Sequence, residues 1–257
     1  MSDDQPHLAG LFRYPLKGFS GEALERVVLE AGETFPLDRA YAVENGPGRF
    51  DPDEPRHLPK INFLMLMRNE RLATLQIHLD PDTAILAVYR AGKQVARGDL
   101  GTRLGRQMIE QFLAAYMKAD LRGAPRIVHA AGHSFSDTIE KCVHIVNLAS
   151  VRELARMLDR PLDPRRFRAN IHVDGLPPFA EQRLVGSTLA IGSARLSVFA
   201  PTSRCEATNV DPETATRDLA IPQALERSFG HSDFGVYATV AEGGGIAVGD
   251  EVHIMAP

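Results

Sequence analysis

The fold is decided by residues 165–211, which read RRFRANIHVDGLPPFAEQRLVGSTLAIGSARLSVFAPTSRCEATNVD. Apolar runs at 171–173, 188–191 and 195–199 predict short strands, and the Gly and Pro residues between them predict turns. The segment ends in a polar turn in which Cys205 directly follows Arg204. A fixed cation beside a thiol favours the thiolate, which is the form that binds metal or attacks an electrophile. Cys205 is therefore the first candidate site residue, with an inert thiol as the alternative.

The rest of the chain also alternates short apolar runs with turn residues, a pattern typical of β structure with short connections. Further strands are predicted at 8–14, 23–30, 37–43, 72–79, 84–90, 127–129, 142–146, 234–241 and 251–255. Residues 45–59 contain four prolines and are predicted to form a loop. Residues 61–67 fit either a buried strand or a short helix, and the three glycines at 243–245 predict a turn.

Three helices are predicted between these strands. In the first, at 102–117, apolar residues recur four positions apart: Leu104, Met108, Phe112 and Tyr116. The second covers 150–158, where Ser150 and Glu153 form a capping box, and the third covers 222–229. Because strands outnumber helices, the sequence predicts a mainly β (α+β) fold that is rich in β-barrel structure.

Composition excludes several classes of protein. The chain has 257 residues and a net charge of −4, which gives no overall attraction to nucleic acid or to an anionic membrane. Its two cysteines exclude a multi-cysteine zinc site and argue against a disulfide framework. The first seven residues are polar and acidic, unlike a signal peptide, and the longest apolar run, 61–67, is too short to span a bilayer. We expect a cytoplasmic protein without nucleic-acid or membrane partners.

A set of short motifs recurs in the order of one family. They are YPLKG at 14–18, LDRAYAV at 37–43, FRAN at 167–170, VDG at 173–175, PFAE at 178–181, AIG at 190–192, SRCEAT at 203–208 and VDP at 210–212. The chain resembles the MOSC domain family, whose members often carry a β-barrel domain before the MOSC domain. The resemblance implies a smaller N-terminal β-barrel-like domain at 1–122 and a MOSC domain at 123–257. Two positions depart from the family pattern: Ala169 stands where Pro is common, and Ala215 where Gly is common.

The resemblance also implies a molybdenum cofactor, molybdenum bound to molybdopterin, with Cys205 as catalytic residue and metal ligand. Arginine suits the phosphate of that cofactor because its planar fork donates two parallel hydrogen bonds. The implied cofactor contacts are Lys17, Arg39, Arg168, Asn170, Arg204, Thr208 and Asp211. Solvated surface charge explains Arg165 and Arg166 equally well, and Cys142, in the apolar run CVHIV, is expected to be a buried structural thiol.

The polar loop GHSFSDT at 132–138 offers two further cofactor contacts, His133 and Ser136. A hydrolase triad within this loop is disfavoured, because adjacent side chains diverge and the chain has no GxSxG motif. Loop residues of these types also satisfy backbone hydrogen bonds, and this remains the alternative.

Resemblance and motifs together predict a molybdenum-dependent oxidoreductase that reduces N-hydroxylated or related small substrates. The chain has no cysteine set for an iron–sulfur cluster and no nucleotide motif. The expected partners are therefore a small-molecule substrate and an external reductase or electron-transfer protein. The main alternative is a non-catalytic carrier of the cofactor, or of sulfur as a Cys205 persulfide. A cysteine-dependent hydrolase is a weaker alternative.

Overall fold

A curled eight-stranded sheet organises the fold in this computed structural model, which describes residues 5–255. The strands are β1 (His7–Arg13), β2 (Glu22–Leu24), β3 (Arg26–Leu29), β4 (Ala42–Glu44), β5 (Gln76–Leu79), β6 (Ile85–Arg90), β7 (Lys93–Asp99), β8 (Arg126–Val128), β9 (Val143–Asn147), β10 (Ile171–Asp174), β11 (Thr188–Ile191), β12 (Ala194–Ser203), β13 (Asp233–Glu242), β14 (Gly244–Ala247) and β15 (Val252–Met255). The helices are α1 (Arg103–Tyr116), α2 (Leu148–Leu158) and α3 (Ile221–Phe229). The predicted mainly β fold is confirmed.

The strand order of the large sheet is β15-β11-β12-β13-β9-β10-β1-β2. Its neighbours pair antiparallel except β9 and β10, which pair parallel. Parallel neighbours need a crossover, and α2 supplies it because it lies between β9 and β10 in the chain. Side chains of the sheet build the largest apolar core, with Ile145, Ile171 and Val236 among its buried members.

Strands from the first thirty residues pair with strands far along the chain. In the large sheet β1 lies between β10 and the edge strand β2, and β3 pairs with β14 outside that sheet. Leu8, Leu11 and Phe35 are buried in the same core as the large sheet. The domain division at 122/123 stays a prediction, and backbone hydrogen bonds cross it.

The remaining strands form a three-stranded sheet, β5-β6-β7, and a two-stranded pair, β4-β8. Helix α1 packs on the three-stranded sheet through Ile109 and Leu113, both fully buried. Two glycines allow this close approach: a Cβ on Gly98 would lie 2.2 Å from the Gly105 oxygen, and one on Gly105 would lie 2.1 Å from the Asp99 oxygen.

The three predicted helices are confirmed, but two of their details differ. In α1 the stripe that predicted the helix lies partly on the outer surface, where Leu104 is 69% and Met108 51% exposed. In α2 the N-cap is Asn147, whose side chain accepts from the Ala149 amide. The prediction of Ser150 as the cap was wrong because its hydroxyl points inward and donates to Glu181.

Five of the predicted strand and turn boundaries were wrong. The predicted strand 23–30 is divided into β2 and β3, which pair with different strands. Residues 36–39 form a turn before β4, a 3-10 helix at Glu70–Thr74 precedes β5, and β14 pairs through Gly244 and Gly245. The segment 61–67 is neither a strand nor an α-helix, and a 3-10 helix at Lys60–Asn62 begins it. Within residues 5–255, none of the helices has the length and apolar character needed to cross a bilayer. The prediction about a signal peptide involves residues 1–4, which lie outside the described residues.

Candidate functional site

A cavity of about 790 Å3 lies among the turns at the strand ends. Seven of the ten predicted site residues line it: Lys17, Arg39, Ser136, Arg168, Asn170, Arg204 and Cys205. They come from segments that are far apart in the chain, so only the folded protein brings them together. The three others lie outside the lining.

Cys205 lies in the turn after β12 and is half-buried. A 3-10 helix, Glu206–Asn209, begins directly after it. Thr208, which is fully buried, donates its hydroxyl to the Cys205 carbonyl at 2.9 Å. Thr208 therefore shapes the turn that carries the thiol.

Arg166, which is only 2% exposed, makes several hydrogen bonds to the same turn. Its guanidinium donates to the Asn209 carbonyl at 3.2 Å, to Asp211 at 2.9 Å and to Asp218 at 2.8 Å. Asp211 thus braces the turn. Arg165, by contrast, is exposed and pairs with Asp163. The alternative of a solvated surface charge therefore holds for Arg165 and is wrong for Arg166, which is buried.

Two cavity arginines are held on an aromatic ring. The guanidinium carbons of Arg39 and Arg168 lie 4.8 and 4.4 Å from the centroid of the buried Tyr14 ring. Both residues have left-handed backbones, with φ of +50° and +52°. Such backbones are strained for residues other than glycine and cluster at functional sites. Arg39 pairs with Asp38 and donates to the Arg168 carbonyl at 3.0 Å.

Burial and crowding alter the pKa values of these groups. Burial and the nearby charge of Arg39 lower the pKa of Arg168 to about 10. Burial also raises the pKa of Tyr14 to about 12, so its hydroxyl stays neutral. Crowded guanidiniums of this kind are stabilised by a bound anion.

Arg204 reaches into the cavity beside the thiol. One of its amino groups donates to the Phe167 carbonyl at 2.6 Å, and the other contacts His144 at 3.3 Å. Burial and the charge of Arg204 hold the pKa of His144 well below its ordinary value, so the neutral ring accepts that contact.

Two donors on these arginines have no protein partner. Among residues 5–255, the buried Nη2 of Arg168 and Nε of Arg204 make no hydrogen bond. A buried donor without a partner is costly and is normally satisfied by protein, water or ligand. Both arginines line the cavity, so the site fits a group that carries anionic oxygens.

A second charged cluster lies near the thiol. Lys17 donates to Asp137 at 2.5 Å and to the Phe135 carbonyl at 2.7 Å, and Lys60 contacts the other oxygen of Asp137 at 3.2 Å. Partial burial opposes ionisation of Asp137, but the two ammonium groups outweigh it and hold its pKa well below the usual range. Burial lowers the pKa of Lys17.

Lys60 also lines the cavity, as Cys205 does. Partial burial opposes the charged form of Lys60, but the nearby carboxylate of Asp137 favours it, and the pKa of Lys60 is raised. Arg217 holds the two segments together, since it donates to the Met67 carbonyl at 2.6 Å and to the Glu206 carbonyl at 3.2 Å. The sequence analysis missed Lys60 and Arg217, which lie outside the family motifs.

The prediction of Cys142 as a buried structural thiol was wrong. Cys142 is half-buried and lines the same cavity as Cys205. Burial raises its pKa to about 12, so it remains a protonated thiol at neutral pH. Within the described residues, no group of three or more His, Cys, Asp or Glu side chains is arranged to hold a metal ion.

Asn170 and His133 make contacts of a structural kind. Asn170 lines the cavity, but its side chain accepts from the His144 amide at 3.1 Å and donates to the Phe12 carbonyl at 3.2 Å. His133 lies outside the lining and packs against Phe50 and Phe135, with ring centroids 5.2 and 4.8 Å apart. Thr208 and Asp211 also lie outside it. Contact of these four residues with a cofactor stays a prediction.

Residues 125–253 match the MOSC domain. The chain is 33% identical over 247 residues to a molybdenum cofactor sulfurase of Caenorhabditis briggsae, an alignment that covers 90% of this chain and 33% of that protein. It is 30% identical over 125 residues to mitochondrial amidoxime reducing component 2 of Rattus norvegicus, covering 44% of this chain and 36% of that protein. The alignments thus span about a third of the length of these relatives. A solved structure, the YUAD protein from Bacillus subtilis, aligns over 98% of this chain and 97% of its own at 14% identity, with a TM-score of 0.47.

Proposed function

Because the chain belongs to the MOSC domain family, we propose that its cavity binds the molybdenum cofactor and that Cys205 is the protein ligand to molybdenum. The names of its relatives, molybdenum cofactor sulfurase and amidoxime reducing component, support this proposal. Soft thiolate sulfur is a suitable ligand for such a centre.

One observation carries the proposal: among the described residues, three buried arginine donors without protein partners, on Arg166, Arg168 and Arg204, belong to residues that line the same cavity as Cys205. Arg168 and Arg204 would hold the phosphate of the cofactor through the free Nη2 and Nε groups. Arg39 keeps Arg168 in place, because it donates to the Arg168 carbonyl and both stack on Tyr14. The protein thus supplies orientation and positive charge.

A further set of residues holds the turn that carries Cys205 and the charged groups near it. Thr208 and Arg166 fix the turn that carries Cys205, and Arg217 ties that turn to residues 66 and 67. Lys17 and Lys60 both bond Asp137 in the lining of the cavity, so one charged carboxylate and two ammonium groups face the space that Cys205 also faces. The contacts of Thr208, Arg166 and Arg217 hold the turn that carries the thiol.

When bound, the cofactor supplies the redox chemistry that removes an oxygen atom from an N-hydroxylated or related small substrate. A separate reductase or electron-transfer protein would supply the electrons, and a cytoplasmic location belongs to the same proposal.

The proposal is tested by assaying cofactor-containing protein with an N-hydroxylated compound and a reduced viologen as artificial electron donor. We expect formation of the reduced product by the natural sequence and none by Cys205→Ser. Product formation that is equal in the two proteins would contradict a role for Cys205.

A second candidate function is a carrier that holds sulfur as a persulfide on Cys205. The alignment to a molybdenum cofactor sulfurase over 90% of the chain favours it. Cofactor-containing protein that shows no turnover, together with a persulfide mass increase confined to Cys205, would select the carrier.

A further inference from the structure

Lys60 is an ammonium group at the cavity to which the proposed function assigns no ligand. It begins the 3-10 helix Lys60–Asn62, after the proline-rich loop, and its side chain is 33% exposed. Its Nζ lies 3.2 Å from Asp137 Oδ2, and Lys60 and Cys205 line the same cavity. The residue is therefore accessible from solvent and faces the cavity that holds Cys205.

The charge of Lys60 is only partly neutralised by protein groups. Asp137, its one carboxylate partner within the described residues, is already bound more closely by Lys17, at 2.5 Å against 3.2 Å. The other acids of the cavity are occupied or solvated: Asp38 pairs with Arg39, and the exposed Glu140 accepts from Thr138. Two ammonium groups thus share one carboxylate next to the thiol.

The ammonium group also has spare hydrogen-bonding capacity. An ammonium group has three N–H donors, and Lys60 directs one to Asp137. A donor that remains free, on a positive charge beside the reacting atom, attracts and orients an anionic oxygen. Arg217 fixes the position of Lys60 relative to Cys205, because it bonds the backbone next to Cys205 and the segment that follows Lys60.

We propose that Lys60 is a specificity-determining residue that binds an anionic oxygen beside Cys205, so that the cavity selects small molecules carrying a carboxylate or a similar oxyanion near the reacting atom. The inference rests on the proposed function for the reaction that follows. The attraction of an anion by Lys60 toward the space near Cys205 does not require the cofactor and can be measured without it.

The chain offers a matched control for Lys60. Lys141 is also a salt-bridged lysine of similar exposure, 39% against 33%, and it pairs with Glu33 at 2.7 Å. Unlike Lys60, it does not line the cavity. Lys141→Gln therefore removes the same formal charge without touching the site.

The test compares two alkylating reagents of nearly equal size, anionic iodoacetate and neutral iodoacetamide, on the full chain without cofactor. All variants carry Cys142→Ser, which leaves Cys205 as the single thiol of the two in the chain. Both reagents react with the thiolate, so the ratio of their rates at one pH cancels any change in thiolate fraction. The ratio reports only the charge that an incoming molecule meets at the sulfur.

We expect the iodoacetate-to-iodoacetamide rate ratio to fall about five-fold in Lys60→Gln, which is the size of one nearby charge at a solvated site. Lys60→Arg should keep the ratio within about two-fold of the parent, since the charge remains. Lys141→Gln should leave it unchanged. A ratio that does not change in Lys60→Gln, or that falls equally in Lys141→Gln, would overturn the proposal.

The outcome is separable from the proposed function. Molybdenum content measured on the same variants tests cofactor binding, whereas the rate ratio tests anion recognition. Protein that never retains molybdenum but shows the expected ratio would refute the proposed function and leave the role of Lys60 intact.

Discussion

At the scale of single residues, the neighbouring arginines Arg165 and Arg166 differ in burial and in the contacts that they make. Arg165 has a side chain that is 43% exposed, whereas that of Arg166 is 2% exposed. Arg166 bonds two carboxylates and two backbone carbonyls of the segment that carries Cys205. Removing a buried charge of this kind leaves its partners unpaired, which is far more costly than losing a surface pair.

We therefore expect Arg166→Met to lower the free energy of unfolding by about 3 kcal/mol. The matched change Arg165→Met should cost less than about 1 kcal/mol, because its partners are solvated. Urea unfolding followed by circular dichroism measures both. Equal losses in the two variants would show that Arg166 does not lock the turn.

At the scale of elements, α1 depends on a contact between glycines. Adding a methyl group at Gly105 would place it 2.1 Å from the Asp99 oxygen, so the helix would have to move from β7. We expect Gly105→Ala to destabilise the protein by about 3 kcal/mol, although alanine is the better helix former. Gln107→Ala, at an exposed site of the same helix, should change stability by less than about 0.5 kcal/mol. A stable Gly105→Ala variant would contradict the packing of α1.

A buried acid joins α2 to the 3-10 helix Ala180–Leu184. Glu181 is 1% exposed and accepts from Ser150 at 2.7 Å and Asn147 at 3.2 Å, while its other oxygen has no partner within the described residues. Burial raises its pKa above the ordinary 4.5. Because the pKa is higher in the folded than in the unfolded state, protonated Glu181 contributes its full stabilisation below about pH 4.5. That contribution is lost as the pH rises through the pKa of the folded state.

Glu181→Gln, which cannot ionise, should therefore remove this decline. We expect the free energy of unfolding of the natural sequence to fall more steeply than that of the variant between about pH 4.5 and pH 8. Chemical denaturation at several pH values measures the two slopes. Parallel slopes would mean that Glu181 is ionised without cost in the folded protein.

At the scale of the whole molecule, the site shows what could be predicted from sequence. Cys205, Arg204 and Arg168 lie within contiguous motifs, so local pattern located them. Lys60 and Asp137 meet across 77 positions and Arg217 and Met67 across 150, so only the folded chain brings them together. Thr208 follows the thiol in sequence and bonds the Cys205 carbonyl, and Asp211 accepts from Arg166, which also bonds the Asn209 carbonyl. The mainly β fold was predictable because alternation and turn residues are local signals.

At this scale too, we propose that the cavity binds the molybdenum cofactor through Cys205. Elemental analysis of protein expressed in a host that makes molybdopterin tests it most directly, with Cys205→Ser and Cys142→Ser beside the natural sequence. Cys142→Ser is the control because that thiol lines the same cavity. We expect near-stoichiometric molybdenum in the natural sequence and in Cys142→Ser, and a large loss in Cys205→Ser. No molybdenum in the natural sequence, or equal amounts in all three proteins, would contradict the claim.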